Sequence, residues 1–407
     1  MRAFVVANDL VVYATAIAQP TGIQRVGKGA LEGLLNVTKE SAGTISIEPI
    51  TVSNGKARLV SPSSLGIGGS TRRSAWFAQP LLHLLAHAPK WLQESVRAVA
   101  RRLLARGVSG GGLEASVGAG DWVLVLGAPW IAPGTAAATI ALCSARRARI
   151  ALLVHDLLPL TNPEWYASRQ GREARADVQS LIVAADMLFA VSPEVAHEIS
   201  ATLNRTAFSL VPAEEMPVAR GVRDDYEPFI LFVGTLHPRK RVDALVRALI
   251  EIAKTDGVDK TPRLVIAGRR HPDDHDLFSS LNEAKRIQGL RERIVLIHDA
   301  DDTKLATLYA SCRFTVLPSL AEGWGLPVRE SLAAGRPAIA TEAVPAAVGS
   351  PFVRVIPVDD QPALVAALRE WWLGDLPEQL AVRILNEFRA RSWRDVALEL
   401  VGALRAA

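Results

Sequence analysis

Nine short apolar runs do most to limit what this chain can fold into. Four of them, at 122–126, 150–154, 187–191 and 208–211, lie before a polar break, and five, at 229–233, 264–267, 294–297, 314–317 and 337–340, lie after it. The runs are almost continuously apolar and do not alternate, so strands formed by them bury both faces. Segments with helical spacing separate them. Strands and helices in alternation predict parallel sheets covered by helices on both sides. The break between Pro212 and Pro228 is rich in Pro, Glu, Asp and Arg and reads as a linker between two domains. With 407 residues the chain has enough material for two cores.

The region before residue 121 is less explicit. The first twenty residues are apolar enough to suggest a signal peptide, but Asn8-Asp9 and the lack of a basic start favour a first strand. Pro20-Thr21-Gly22 predicts a turn, 23–35 a helix with Ile23, Val26, Ala30 and Leu34 on one face, and 41–60 one or two strands. Cys143 and Cys312 are the only cysteines, which excludes a disulfide framework and a cysteine-based metal cluster. No run of eighteen apolar residues is free of charge, so no spanning helix is expected.

The formal net charge is +4, yet the segment 63–112 alone carries +6, with seven Lys/Arg against Glu94. Trp76, Phe77 and Trp91 share that segment with Arg97, Arg101, Arg102 and Arg106. A basic amphipathic segment of this kind suits an anionic membrane surface. It equally suits a helical pair whose apolar side packs on the core.

The stretch most suited to chemistry is EGWGLPVRESLAAG, residues 322–335. It follows an apolar run and a Pro318-Ser319 break. Gly323 and Gly325 allow the backbone to lie close against a ligand. Pro327 fits a first helical turn, Gly335 a C-terminal cap, and Pro337 bars continuation. Strand, glycine loop and helix start together form an anion site. Glu322 and Glu330 stand eight residues apart, about 12 Å if the helix were continuous. A second candidate is VGTLHPRKR, residues 233–241, where Arg239, Lys240 and Arg241 crowd a helix start. The helix dipole disfavours cations there, so an anion between them is expected. His155-Asp156 ends another strand. Asp299-Ala-Asp301 has a metal-motif spacing, but it precedes a helical run, so Asp301 or Asp302 reads as a cap and no metal is expected.

These motifs resemble the retaining GT-B glycosyltransferases of family 4. Glu-x7-Glu with its glycines resembles their donor site, VGTLHPRKR their phosphate loop, HDLLPLTNPEWY a sugar-contacting segment, and TGIQRV the first glycine loop and helix. The resemblance covers the chain well from Asp121 onward and thinly before it. It implies an α/β fold with two Rossmann-like domains whose parallel sheets face across a cleft. The domains would be 1–215, on the acceptor side and carrying the 63–112 insertion, and 216–390, binding the nucleotide sugar. A helix at 391–407 would cross back to the first domain.

The implied activity is transfer of a hexose or deoxyhexose, with a GDP-mannose-like donor as a guess, to a glycan acceptor in polysaccharide or lipid-linked oligosaccharide synthesis. Lys240 and Arg239 would meet the donor diphosphate, assisted by amides of Gly323, Trp324, Gly325 and Leu326, with Gly22 and Thr235 nearby. Glu322 would orient the sugar, Glu330 would bind the ribose, and His155 would contact the sugar across the cleft. In the mechanism proposed for such enzymes the departing diphosphate takes the acceptor's proton. No cofactor beyond the nucleotide sugar and no nucleic acid is implied, and the expected place is the cytoplasm, peripheral to the membrane's inner face. Two positions depart from the family pattern: Thr235 stands where an arginine is usual, and Pro212-Ala-Glu-Glu replaces a Pro-Asn-Gly type loop. A non-catalytic subunit that binds a sugar nucleotide beside a partner enzyme is the alternative.

Overall fold

The apolar runs form two separate sheets. The computed structural model describes residues 1–16, 22–67, 113–214, 227–271 and 275–407. Most of the basic segment 63–112, the turn at Pro20-Thr21 and the centre of the 212–228 linker lie outside the described residues. The chain divides into two compact units, Met1–Ala213 with Ser392–Ala407, and Glu214–Arg391.

The first unit is built on a seven-stranded sheet in the order β3-β2-β1-β4-β5-β6-β7. Its strands are β1 (Arg2–Val6), β2 (Ser46–Ser53), β3 (Lys56–Leu59), β4 (Trp122–Val125), β5 (Arg149–Val154), β6 (Met187–Ala190) and β7 (Phe208–Ser209). β1 and β4 to β6 are buried along nearly their whole length, which is why their sequences show no alternation. Two expectations need correction. The N-terminal apolar stretch is a strand only to Val6, and Asn8–Ala16 is a helix. The sheet is also not wholly parallel, because β3 runs antiparallel to β2. Asn54 and Gly55 join them with φ of 50° and 69°, the left-handed pair of a two-residue hairpin turn. That Asn-Gly signal sits plainly between the two strands.

The terminal helix Trp393–Ala406 belongs to this unit and packs along helix Gly22–Glu40. Glycine permits the contact: a Cβ on Gly29 would meet the Trp393 ring at 2.1 Å. A capping box between Ser392 and Asp395 fixes where the helix starts.

The second unit carries a six-stranded sheet, all of whose pairs are parallel, in the order β10-β9-β8-β11-β12-β13. Its strands are β8 (Ile230–Val233), β9 (Leu264–Ala267), β10 (Ile294–Ile297), β11 (Phe314–Leu317), β12 (Ala338–Thr341) and β13 (Val353–Ile356). β13 was not anticipated, because its Arg354 and Val355 are exposed and its sequence lacks the apolar continuity of the others. In each sheet the strand order reverses once, between β1 and β4 in the first unit and between β8 and β11 in the second. Ligands of open α/β sheets bind at such reversals, outside the carboxyl ends of the strands. Among the described residues no helix is long and apolar enough to cross a membrane.

Candidate active site

The second unit brings two predicted motifs together at its strand-order reversal. The loop after β8 carries Arg239 and Lys240, and the loop after β11 carries Glu322. Glu322 is the centre of the cluster. Its carboxylate is almost fully enclosed and pairs with Lys240 Nζ and with Arg239 Nη1, the latter at 3.1 Å. Ser319 donates its hydroxyl to the same carboxylate at 2.7 Å. Arg239 also donates to the Ala321 carbonyl at 2.6 Å, and its own carbonyl accepts the Leu320 N–H at 2.8 Å. Thr341, at the end of β12, donates to the Ser319 carbonyl at 2.6 Å and so braces the loop from beneath.

Burial opposes ionisation of Glu322. The charges of Lys240 and Arg239, with hydrogen bonds from Lys240 and Ser319, outweigh it and hold the carboxyl down to about 2. Glu322 is therefore an anion at any physiological pH and cannot serve as a general acid. Two cations share one carboxylate, so the cluster keeps one positive charge in excess. Such an excess, walled by low-dielectric strands, is suited to an anion.

The local structure differs from expectation in one respect. Lys240 ends a 3₁₀ turn, Pro238–Lys240, and the following helix begins at Val242. Of the three crowded cations, Arg239 and Lys240 are answered by Glu322. Arg241 is answered by Asp359 and by Asp243, the latter at 3.4 Å. The dipole argument required an anion, and the chain supplies these itself.

Gly323 to Leu326 continue from Glu322 into helix Leu326–Ala333, with Gly325 as its N-cap at φ 102°. A side chain there would be strained and would meet Val344 at 2.3 Å. The Trp324 carbonyl accepts the Ala346 N–H at 2.9 Å, which ties the glycine loop to the loop after β12. Trp324 packs its ring against the core. Glu330 lies within the helix and is buried, and it accepts the Tyr309 hydroxyl at 2.7 Å. Thr235 opens the loop after β8, and its carbonyl accepts the His237 N–H at 2.8 Å. Asp301 caps helix Asp302–Ser311 by accepting the Lys304 N–H at 2.7 Å.

Gly22 and His155 belong to the first unit. Gly22 is the exposed first residue of its helix. His155 directly follows β5, with Nε2 at 2.9 Å from the Leu126 carbonyl. A carbonyl only accepts, so Nε2 carries the proton and Nδ1 presents a lone pair. Burial lowers the imidazole to about 4, against a small opposing effect of that hydrogen bond. His155 is a neutral ring at pH 7. Asp9, after β1, is buried and accepts the Ala128 N–H at 2.8 Å. Burial raises its carboxyl above the usual range, although hydrogen bonds from the backbone of Ala128 and Leu10 work the other way.

Sequence reasoning missed Ser319, Tyr309, Thr341 and Asp9. Ser319 reads as a strand breaker, and Tyr309 reads as one more core residue of an amphipathic helix. Their partners lie 3 and 21 residues away, and no spacing rule connects them.

Residues 227–373 match the family described as Glycosyl transferases group 1. The O-antigen chain mannosyltransferase B of Escherichia coli is 25% identical over 277 residues, covering 64% of this chain and 71% of that protein. The serotype-specific mannosyltransferase WbdA of Escherichia coli is 28% identical over 197 residues, 44% of this chain but only 24% of WbdA. Among solved structures, sucrose-phosphate synthase from Thermosynechococcus elongatus covers 100% of this chain and 98% of its own, with a TM-score of 0.62 at 17% identity. Anabaena Alr3699/HepE, solved in complex with UDP-glucose, covers 100% of both chains with a TM-score of 0.62 at 14% identity. These likenesses establish the fold, which is that of the GT-B glycosyltransferases. The family match covers residues 227–373 of the second unit, and that part of the chain is similar to the group 1 glycosyl transferases.

Proposed function

We propose that the chain is a retaining, metal-independent hexosyltransferase that moves mannose or a related sugar from a nucleoside diphosphate to a glycan acceptor in the synthesis of a surface polysaccharide. The observation that carries the reading is the Arg239–Lys240–Glu322 cluster at the strand-order reversal of the second unit. Its excess positive charge suits a diphosphate, whose negative charge grows as the sugar–phosphate bond breaks. Fixed cations aimed at developing charge are the largest common source of catalysis in such reactions. Lys240 and Arg239 supply that charge here, so no divalent cation is needed to stabilise the leaving group. Helix Leu326–Ala333 starts four residues after Glu322 and adds the positive end of its dipole to the same loop. Glu322, permanently ionised, serves as an acceptor for sugar hydroxyls and keeps the two cations in place. Glu330, steadied by Tyr309, serves the ribose, and neutral His155 offers Nδ1 to a hydroxyl. Mannose is favoured by the two relatives named mannosyltransferases, and the polysaccharide context by the O-antigen protein.

The test is a panel of GDP- and UDP-sugars, scored for hydrolysis and for transfer to glycan acceptors in excess EDTA. Turnover of GDP-mannose with retained anomeric configuration is expected. Failure to turn over any donor would remove the enzymatic reading. Activity that EDTA abolishes and magnesium or manganese restores would remove metal independence alone.

A further inference from the structure

Arg241 occupies a conformation that L-residues rarely take. Its φ is 51° and ψ 39°, in the left-handed region where glycine is the usual occupant. The kink is what separates the turn Pro238–Lys240 from helix Val242–Asp256. The Arg241 N–H closes the turn on Pro238 at 3.0 Å, and its carbonyl accepts the Ala244 N–H at 3.1 Å to open the helix. If Arg241 relaxed to right-handed values, turn and helix would fuse and Lys240 would rotate off Glu322. The side chain opposes this. Its guanidinium is largely enclosed and pairs with Asp359, which precedes helix Gln361–Leu373 and is itself left-handed at φ 57°. Asp243 flanks the guanidinium on the other side. Gln361 donates to the Ala244 carbonyl at 3.1 Å, a second tie between the loop after β13 and the helix start.

We propose that Arg241 and Asp359 form a strut that positions Lys240 and Arg239, so that affinity for a diphosphate donor depends on the loop after β13. The proposal rests on the reading that the Lys240 loop binds that diphosphate. The space between the two loops does not compete as an explanation. It is lined by Arg241, Pro318, Thr341, Asp359 and Gln361, and at about 10 Å³ it has room for one water. Two residues held in a disfavoured conformation and facing each other as an ion pair are the mark of a local arrangement kept for position. Stability is a poor reason for it, since Asp359 is more than half exposed and exposed pairs contribute little.

The experiment compares wild type, Asp359→Ala, Arg241→Gly and the double variant by calorimetry with GDP and UDP, and by donor KM and kcat. Arg241→Gly is the decisive variant, because glycine accepts the left-handed backbone without strain while lacking the guanidinium. Each single variant is expected to raise Kd and KM about ten-fold with kcat within about two-fold. The double variant should be no worse than either single one, and Asp359→Glu should recover part of the loss. Asp359→Asn, which keeps the shape, replaces Asp359→Ala should the latter melt early. Wild-type affinity in Arg241→Gly, or additive losses in the double variant, would overturn the strut. A wild-type protein that binds neither diphosphate would overturn the donor reading on which it rests, and that is read before any variant is made.

Discussion

The two strand-order reversals of this chain have the same topology and opposite electrostatics. In the second unit the reversal between β8 and β11 gathers ions and keeps them ionised, with Glu322 held down to about 2 by Lys240 and Arg239. In the first unit the reversal between β1 and β4 holds groups that burial pushes toward neutrality. His155 is lowered to about 4 and Asp9 is raised. Among the described residues neither has an opposite charge to reverse that tendency. The contrast follows from loop sequence alone, since the strands beneath are similar. One loop presents Arg239 and Lys240 to a glutamate, while the other presents Asp9 to the Ala128 N–H and Asn8 to the backbone of Val52. On the proposed reading one reversal suits a charged ligand group and the other suits hydroxyls.

The largest break in this contrast should come from Lys240→Ala. It leaves Glu322 with one cation and removes the excess positive charge. A fall of roughly 10²–10³ in kcat/KM is expected, the scale of losing one fixed donor to a developing charge. Steady-state kinetics with saturating acceptor check it, and a loss below ten-fold would mean that Lys240 does not meet the leaving group.

The next effect belongs to the first unit. Between pH 6.5 and about 4 an unfolded histidine binds a proton that folded His155 refuses, so stability is lost as pH falls through this window. The loss amounts to up to about 3 kcal/mol by pH 4. Urea unfolding followed at pH 7 and at pH 4.5 should show a shallower pH dependence in His155→Gln than in wild type. Equal slopes would mean that the ring is protonated in the folded state.

His155 was legible in the sequence because it directly follows a strand within a recognisable run. Glu322, Lys240 and Arg239 were legible for the same reason, although the pairing among them was not. Sequence spacing along a parallel sheet says nothing about which carboxyl ends become neighbours, and β8 and β11 are adjacent only because the strand order reverses. Arg241 was read as one of three cations awaiting a ligand, whereas its partner Asp359 lies 118 residues away on a strand connection that was not foreseen. β13 escaped because an exposed edge strand needs no continuous apolar run. Asp9 was used only to argue against a signal peptide, since its burial depends on Gly127 and Ala128 from a distant strand end.

A smaller effect should sharpen the donor side. Glu330 is buried with Tyr309 as its hydrogen-bond partner, so its carboxylate is pre-positioned before any ligand arrives. Glu330→Ala is expected to weaken nucleoside diphosphate binding by about 1.5–3 kcal/mol, the range for hydrogen bonds to a charged group. Unchanged affinity by calorimetric titration would remove the ribose role and leave Glu330 as a core carboxylate.

The smallest expected effect, that of Asp9→Asn, tests the comparison most directly when the same change is made at both reversals. Replacing a carboxylate by its amide keeps size and one acceptor oxygen while removing the charge. In Glu322→Gln the two cations lose their counter-charge. The lowered pKa of Glu322 is a contribution to stability, present above the ordinary glutamate value near pH 4.5 and lost as pH falls toward 2. Its removal should cost about 3 kcal/mol at pH 7. For Asp9 the sign is reversed: its raised pKa means that ionisation weakens the fold, and the weakening is relieved as pH falls through the folded value. Asp9→Asn keeps an oxygen for the Ala128 N–H and discards a charge that burial opposes. Its melting temperature at pH 7 should match or exceed that of wild type, with a difference below about 1 kcal/mol. Parallel thermal melts of the two variants decide the matter. A loss in Asp9→Asn as large as in Glu322→Gln would mean that Asp9 is needed as an anion, and the two reversals would then be electrostatically alike.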